Sequence, residues 1–444
     1  MPVTAFFDGP HNYSNRFDFY EQGGSPLLLK RIIEIIEKNK SEIEEINIGW
    51  YLYNNKYFHS FLKGISEEGV KVNVITIPLE GYDNNKPKRL KNLDTGEIQN
   101  TKVTKYSLAR EIFSEMYKTA QHPNFSLYFF PHLYVRSEFV KKFSRGTLPY
   151  SLHLKSAYIK MKYGYIIVLS SSNMATRDLV KHESLICIQN EDHYEEGFKN
   201  FYNDLINNSI PIKEYKREFN TSRNTFNFIN FKSSSHYFIA APFYYNSAND
   251  LDKSLSDYIL KAKERVIICS QHLAAFSYRF KSKYHSKIEE DETRDGVLGS
   301  AIKMAKTGLK VTCLSQTFVP PPGQESRFQG SDFRKPANKG NFQRFFAELS
   351  LFDNAAYFVN ENIHSKFIII DNTLIYCTYN FTPTQFIYLD DVNIPNFREM
   401  PKTSYKGIHC EVSAHVVIED RSILNLFLDH TQLIKSNKLT IQVL

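Results

Sequence analysis

A histidine and a lysine two residues apart, leading into a strand-like hairpin that ends at an asparagine, occur twice in this chain: His153-Leu154-Lys155 with Asn173, and His364-Ser365-Lys366 with Asn380. These residue types point to phosphoryl transfer. Side chains two apart on a strand share a face, so each histidine and its lysine can reach one phosphate. The histidine supplies a nucleophile or a proton, the lysine a fixed positive charge for the non-bridging oxygens, and the asparagine one more amide hydrogen bond. Two such sets around one phosphodiester let one histidine attack while the other protonates the leaving oxygen.

Spacing alone does not single these sets out, because His285-Ser286-Lys287 has it too. That third copy lies in the charged run Lys281 to Arg294, with no apolar strand and no asparagine behind it, and reads as a solvated loop. The other two share their surroundings. After His153 come an apolar segment to Met161, a turn at Lys162–Gly164 and the run Tyr165–Leu169 before Asn173. After His364 come Phe367–Asp371, a tight turn at Asn372-Thr373 and Leu374–Cys377 before Asn380. Both read as hairpins.

The repetition extends further. Glu183–Asp192 aligns without gaps on Glu411–Asp420, each followed by a helical pattern, near Tyr194–Asn207 and Ser422–Lys435. Upstream, Gly69–Ile75 matches Gly308–Leu314, and Ile46–Trp50 matches Val266–Ser270. The chain is therefore an internal duplication, roughly 25–208 and 245–440. This divides it into an N-terminal domain over 1–208, a polar Asn/Ser/Thr-rich linker over 209–244 and a C-terminal domain over 245–444. Alternating strands and helices predict an α/β class with a mixed sheet in each half.

These residues resemble the phospholipase D superfamily, over nearly the whole chain. The resemblance implies two tandem α/β/α sandwich repeats related by a pseudo-twofold axis, with one shared active site. In the second cassette His364, Lys366, Asp371 and Asn380 follow the superfamily pattern, with a shorter spacing to the asparagine and Thr-Tyr where Gly-Ser is usual. In the first, Lys160 stands where the aspartate is expected, and Asn173 follows a longer hairpin ending in Ser-Ser-Asn-Met, which is similar to the first motif of tyrosyl-DNA phosphodiesterases. By resemblance His153 is the nucleophile, forming a phosphohistidine, and His364 is the acid and then the base for water. Glu183 and Glu411 sit where the superfamily often keeps a carboxylate that fixes a catalytic histidine's tautomer; Asp371 is a supporting residue.

At 444 residues and 42% apolar the chain can bury two sizeable cores. No apolar run is long enough to span a bilayer and the N-terminus is not of signal type. The five cysteines, Cys187, Cys269, Cys313, Cys377 and Cys410, fall in apolar segments without C-x-x-C pairing, which predicts reduced core thiols and a cytoplasmic or nuclear protein. No metal-ligand spacing occurs and the two-histidine chemistry requires none, so no cofactor is expected.

Net charge is +7, a mild basic surplus. Its distribution points to polyanions. Lys86, Lys88, Arg89 and Lys91 lie in an insertion between Gly81 and Lys105; Arg279, Lys281 and Lys283 alternate with Tyr278, Phe280 and Tyr284; Arg327-Phe328 and Phe333-Arg334-Lys335 form a third cluster. Cations beside flat rings hold phosphates and stack unpaired bases. Gln271 and His272, directly after the Val266–Ser270 strand, are expected to line the same cleft. The Pro320–Lys339 stretch reads as a loop over the second half-site. Together these features predict a metal-independent nuclease, DNA more readily than RNA, able to act as a monomer or within a larger complex. The alternatives are a tyrosyl-DNA-phosphodiesterase-like repair enzyme and a phospholipase or phosphatidyl transferase.

Overall fold

The computed structural model describes residues 2–13, 26–77, 89–91, 98–100, 114–130, 152–174, 181–214, 227, 229–230, 233–244, 247–273, 296–320, 323, 339–381 and 411–444. They form two compact units, one reaching Asn227 and the other following it.

In the first unit, β1 (Val3–Asp8), β2 (Ile43–Trp50), β3 (Lys71–Thr76), β6 (Phe125–Phe129), β7 (Lys155–Met161), β8 (Gly164–Ser170), β9 (Glu183–Gln189) and β10 (Ile210–Pro211) make one sheet in the order β1-β9-β8-β7-β2-β3-β6-β10. β2, β3 and β6 run parallel, and β7, β8, β9 and β1 continue antiparallel. A separate hairpin pairs β4 (Arg89–Lys91) with β5 (Ile98–Asn100).

In the second unit, β11 (Tyr237–Ala240), β12 (Arg265–Ser270), β13 (Lys310–Ser315), β14 (Ala355–Val359), β15 (Phe367–Ile370), β16 (Thr373–Cys377), β17 (Ser413–Ile418) and β18 (Ile441–Gln442) are ordered β11-β17-β16-β15-β12-β13-β14-β18. Position for position this is the order of the first sheet. The duplication read from the sequence is thus a duplication of topology, and each sheet is mixed. The stretch 209–244, read as a linker, gives an edge strand to each sheet: β10 to the first and β11 to the second.

Successive residues of β3, β8, β16 and β17 are buried although they alternate between sheet faces, so both faces are covered. Helices provide the cover. In α1 (Pro26–Asn39), Leu28, Leu29, Ile32, Ile33 and Ile36 recur at helical spacing and are buried. In α2 (Lys56–Glu67) the same role falls to Phe58, Leu62 and Ile65, and Asn55 caps the helix by accepting the Phe58 N–H at 3.0 Å. The remaining helices are α3 (Glu195–Asn207), α4 (Ser247–Leu260), α5 (Gly296–Lys306), α6 (Lys339–Leu349) and α7 (Arg421–Ser436). α3 and α7 start and stop within a residue of the two helical patterns that follow the β9 and β17 segments.

No described helix is long and apolar enough to cross a membrane. Cys187, Cys269, Cys313 and Cys377 are buried free thiols, as expected, while Cys410 lies outside the described residues.

Candidate active site

β7 is antiparallel to β2, so its first residue lies at the C-terminal ends of the parallel strands β2, β3 and β6. That end of an open α/β sheet is where ligands bind. Lys155 opens β7 opposite Trp50, and His153 precedes the strand rather than lying on it. The cassette therefore bends. The Lys155 ammonium is fully buried and donates to the His153 carbonyl at 3.0 Å. Gly49 makes room beneath: a Cβ there would lie 2.6 Å from Leu154 Cδ2.

The return strand is fastened at the same place. The Trp50 indole N–H donates to the Ser172 carbonyl at 2.9 Å, and the Asn54 N–H to the Met174 carbonyl at 3.0 Å. Asn173 is held between those two anchored residues, at the end of the sheet that carries His153. Glu183 opens β9 there as well; it is buried, and the Ser171 hydroxyl donates to its carboxylate at 2.5 Å. Ser171 exchanges two further bonds with Ser184, N–H to carbonyl at 2.9 Å and back to its hydroxyl at 2.9 Å.

Sequence reading missed Tyr51. Its N–H donates to the Leu154 carbonyl at 2.9 Å, its ring centroid is 5.2 Å from that of His153, and the Lys155 ammonium lies 5.5 Å above its face. The internal repeat carried the signal: Gln271, singled out after the second-half strand, holds the register of Tyr51. Gly49 lies opposite Ser156, and Cys269 lies opposite Phe367, each the residue after its lysine.

In the second unit His364 and Lys366 both precede β15 and are buried. The Lys366 ammonium again donates to the carbonyl of its own histidine, at 2.5 Å. Asn380 follows β16; the Ser270 hydroxyl lies 3.5 Å from its amide oxygen and accepts the Phe381 N–H at 3.3 Å. Gln271 is buried and donates toward the Gln316 amide oxygen at 3.5 Å, while Gln316 donates to the Ile363 carbonyl, next to His364, at 2.7 Å. Gln271 is thus linked through Gln316 to the residue before His364, and Gln316 is a neighbour the sequence did not disclose. The His272 carbonyl accepts from Ser270 at 3.0 Å. Burial pushes the thiols of Cys269 and Cys377 up, the latter to about 12, despite the Lys366 charge near both, so neither is a nucleophile.

One sequence alignment changes, and the surroundings of two further residues become visible. First, Ser170 lies opposite Leu185 while Cys377 lies opposite His415, and the Ser171–Ser184 exchange recurs between Thr378 and Ala414. Ser413, not Glu411, is therefore the counterpart of Glu183. The gapless alignment slipped by two residues: both strands are buried on successive residues, so no alternation marks their register. Glu411 is buried two residues before β17.

Second, Asp371 is in the turn between β15 and β16, at φ +51° and at the opposite end of β15 from Lys366. Its carboxylate accepts from the N–H groups of Lys263, Glu264 and Arg265 at 2.8, 2.8 and 3.0 Å. Burial raises its pKa, but these backbone donors and the Arg265 charge outweigh that and hold it below the ordinary carboxylate range. Asp371 supports the sheet. Third, Lys160, in the place of that aspartate, pairs with Glu44 at 2.6 Å across an exposed surface.

Arg89 opens β4 opposite Asn100; Lys88, Arg279, Lys281 and the His285-Ser286-Lys287 segment lie outside the described residues. The insertions that carry them leave from the C-terminal ends of β3 and β12, at the cassette end of each sheet. No three described His, Cys, Asp or Glu side chains are grouped so as to hold a metal ion.

By sequence the chain matches no family model and no curated protein. By structure it is similar to phosphatidylserine synthase of Haemophilus influenzae Rd KW20, at 12% identity and TM-score 0.52, over 100% of this chain and 87% of that one. It is also similar to polyphosphate kinase of Porphyromonas gingivalis, at 9% identity and TM-score 0.50, over 98% of this chain. The chain spans 50% of that kinase's length. The fold is therefore a pair of phospholipase D-like α/β units in one polypeptide.

Proposed function

We propose that this chain is a metal-independent phosphodiesterase that hydrolyses nucleic-acid phosphodiester bonds through a covalent phosphohistidine. The observation that carries the reading is that each unit builds the same half-site. In each, a buried lysine is folded onto the carbonyl of its own histidine, at the mouth of a central strand, with an asparagine fastened at the end of the return strand. Each half supplies one histidine, and the reaction needs two.

In this mechanism an imidazole nitrogen of His153 attacks phosphorus, and His364 gives its proton to the departing oxygen. Lys155, Lys366, Asn173 and Asn380 hold the non-bridging oxygens. Water then attacks the phosphohistidine, losing its proton to His364, and His153 is released. By the superfamily resemblance the Glu183 carboxylate orients an imidazole; Glu411, which is off the Glu183 register, takes no matching role. The clusters around Lys88, Arg89, Arg279 and Lys281 and the Gln271 and His272 side chains hold the polyanion, and their cation–aromatic composition favours unpaired strands.

The likeness to a phosphatidylserine synthase favours a second reading, phosphatidyl transfer or phospholipid hydrolysis. A third, removal of tyrosyl adducts from DNA ends, rests on the first cassette's missing aspartate and longer hairpin. One experiment separates them: incubation in excess EDTA with labelled single- and double-stranded DNA, RNA, a 3′-phosphotyrosyl oligonucleotide and phosphatidylcholine vesicles, with His153→Ala and His364→Ala beside the wild type. Internal cuts absent from both variants establish the nuclease, and a phosphoenzyme trapped in His364→Ala identifies His153 as nucleophile. Release of tyrosine alone, or of headgroup alone, transfers the assignment to the corresponding reading, and turnover by His153→Ala at the wild-type rate overturns the mechanism.

A further inference from the structure

Tyr51 belongs to neither cassette, yet it touches both reactive side chains of the first. Resting on the phosphodiesterase reading above, we propose that Tyr51 is the positioning residue of the first half-site, aiming the His153 imidazole and holding the Lys155 ammonium.

A fully buried ammonium is costly unless its surroundings replace water. One Lys155 N–H is taken by the His153 carbonyl at 3.0 Å, and the π face of Tyr51 lies 5.5 Å from the nitrogen, within cation–π range. The same ring meets the His153 imidazole at 5.2 Å and 56°, a tilted contact of the kind aromatic rings prefer to a face-to-face sandwich. A nucleophilic imidazole must point one nitrogen along the line of the breaking bond, so restricting its rotation acts directly on the chemical step.

Tyr51 is itself fixed from two sides. Its N–H is bonded to Leu154, the residue between His153 and Lys155, and its neighbour Trp50 is tied to Ser172 beside Asn173. Two successive residues at the end of β2 therefore serve the half-site, Tyr51 beside the histidine and lysine and Trp50 beside the asparagine. The second half does this differently: Gln271 stands at the matching register and is engaged by Gln316. The two half-sites are chemically unequal, aromatic beside His153 and amide beside His364.

The contacts use the ring and not the hydroxyl, so Tyr51→Phe should retain them and Tyr51→Leu should lose them. The test compares these variants in the full chain by two readouts: hydrolysis of bis(4-nitrophenyl) phosphate, and NMR of the protein with ¹³C-labelled histidine rings. Tyr51→Phe is expected to keep kcat within about two-fold, and Tyr51→Leu to lower it by about five-fold at unchanged KM, the loss expected for one cation–π contact on a half-buried ring. The His153 ring resonances should match between wild type and Tyr51→Phe and move in Tyr51→Leu. If Tyr51→Leu does not fold, Tyr51→Gln, which copies the second half's residue, replaces it with the same expectation. A Tyr51→Leu enzyme with wild-type kcat, or one whose KM rises while kcat holds, overturns the positioning role. If the wild type hydrolyses no phosphodiester the phosphodiesterase reading fails, and the His153 resonances alone then decide whether Tyr51 holds the ring.

Discussion

The two hairpins that follow the cassettes are built to one plan and secured by different chemistry. Between β15 and β16, Asp371 takes a left-handed conformation and ties three backbone N–H groups of the segment entering β12. Between β7 and β8 no aspartate is present. Gly164 makes the turn at φ +105°, where any Cβ would strike Asn190, and the Asn190 side chain accepts the Tyr165 N–H at 2.8 Å. Lys160 reaches sideways to Glu44. Each turn lies a strand's length from its cassette. The absence of the aspartate in the first half is thus a difference in how a hairpin is fastened, at the end away from the cassette.

Near the reacting atoms the difference runs the other way. There the lysine geometry repeats almost atom for atom while the neighbours diverge, Tyr51 against Gln271 with Gln316. The bond from lysine to its own histidine's carbonyl is duplicated, and the residues beside it are not.

The most severe test of that equivalence is to remove each charge. Lys155→Met and Lys366→Met should each reduce kcat by about 10²–10³-fold, the loss typical of one transition-state donor, in assays of the variants side by side. If one variant kept the wild-type kcat, the two lysines would not share a role.

Acid provides a second test, because each unit buries a histidine whose pKa is lowered. His59 is bonded to Tyr53 and Thr119, and burial lowers its pKa to about 4, with the Lys63 charge adding to the effect. His415 is bonded to Tyr379, and burial lowers its pKa to about 3. Both fold neutral, so the stability they confer is complete above their unfolded value of 6.5 and declines as the pH falls below it. The decline is about 1.4 kcal/mol per pH unit for each, levelling near pH 4 for His59 and near pH 3 for His415. Urea unfolding at pH 7, 6, 5 and 4 should show a midpoint that drops steadily below pH 6; a flat midpoint would mean that neither histidine is held neutral.

The turns themselves give the smallest effects and the sharpest contrast. Asp371→Ala should destabilise the second unit by about 1–2 kcal/mol through its three orphaned N–H groups, read as a lower thermal midpoint with kcat intact. Lys160→Ala, which breaks only an exposed ion pair, should leave the midpoint where it is. A large loss of kcat in Asp371→Ala would instead place that residue in the chemistry.

Much of this was legible in the sequence. Short apolar runs alternating with helical patterns gave the α/β class and the strands, and the repeated His-x-Lys hairpins gave the duplication, because residue type and apolar pattern are local properties of a chain. The helices after Glu191 and Glu419 were readable for the same reason. What local pattern could not set was register. Strands buried on both faces carry no alternation to mark register, so Glu411 was matched to Glu183 when hydrogen-bond pairing matches Ser413. Nor could it show that the stretch taken for a linker closes both sheets at their edges, since β10 and β11 are short and acquire partners only in the folded sheets.

The sequence by itself determined which groups are available for reaction, two histidines, two lysines and two asparagines in duplicate settings, since residue type and order are all that such an inventory needs. Tertiary structure alone decided what those groups touch. Antiparallel pairing of β7 on β2 carries Tyr51 to His153 and Lys155, from about 100 residues away in the chain, and places Asp371 at the far end of its hairpin from the lysine it follows. Such contacts depend on strand order and register, which are properties of the assembled sheet.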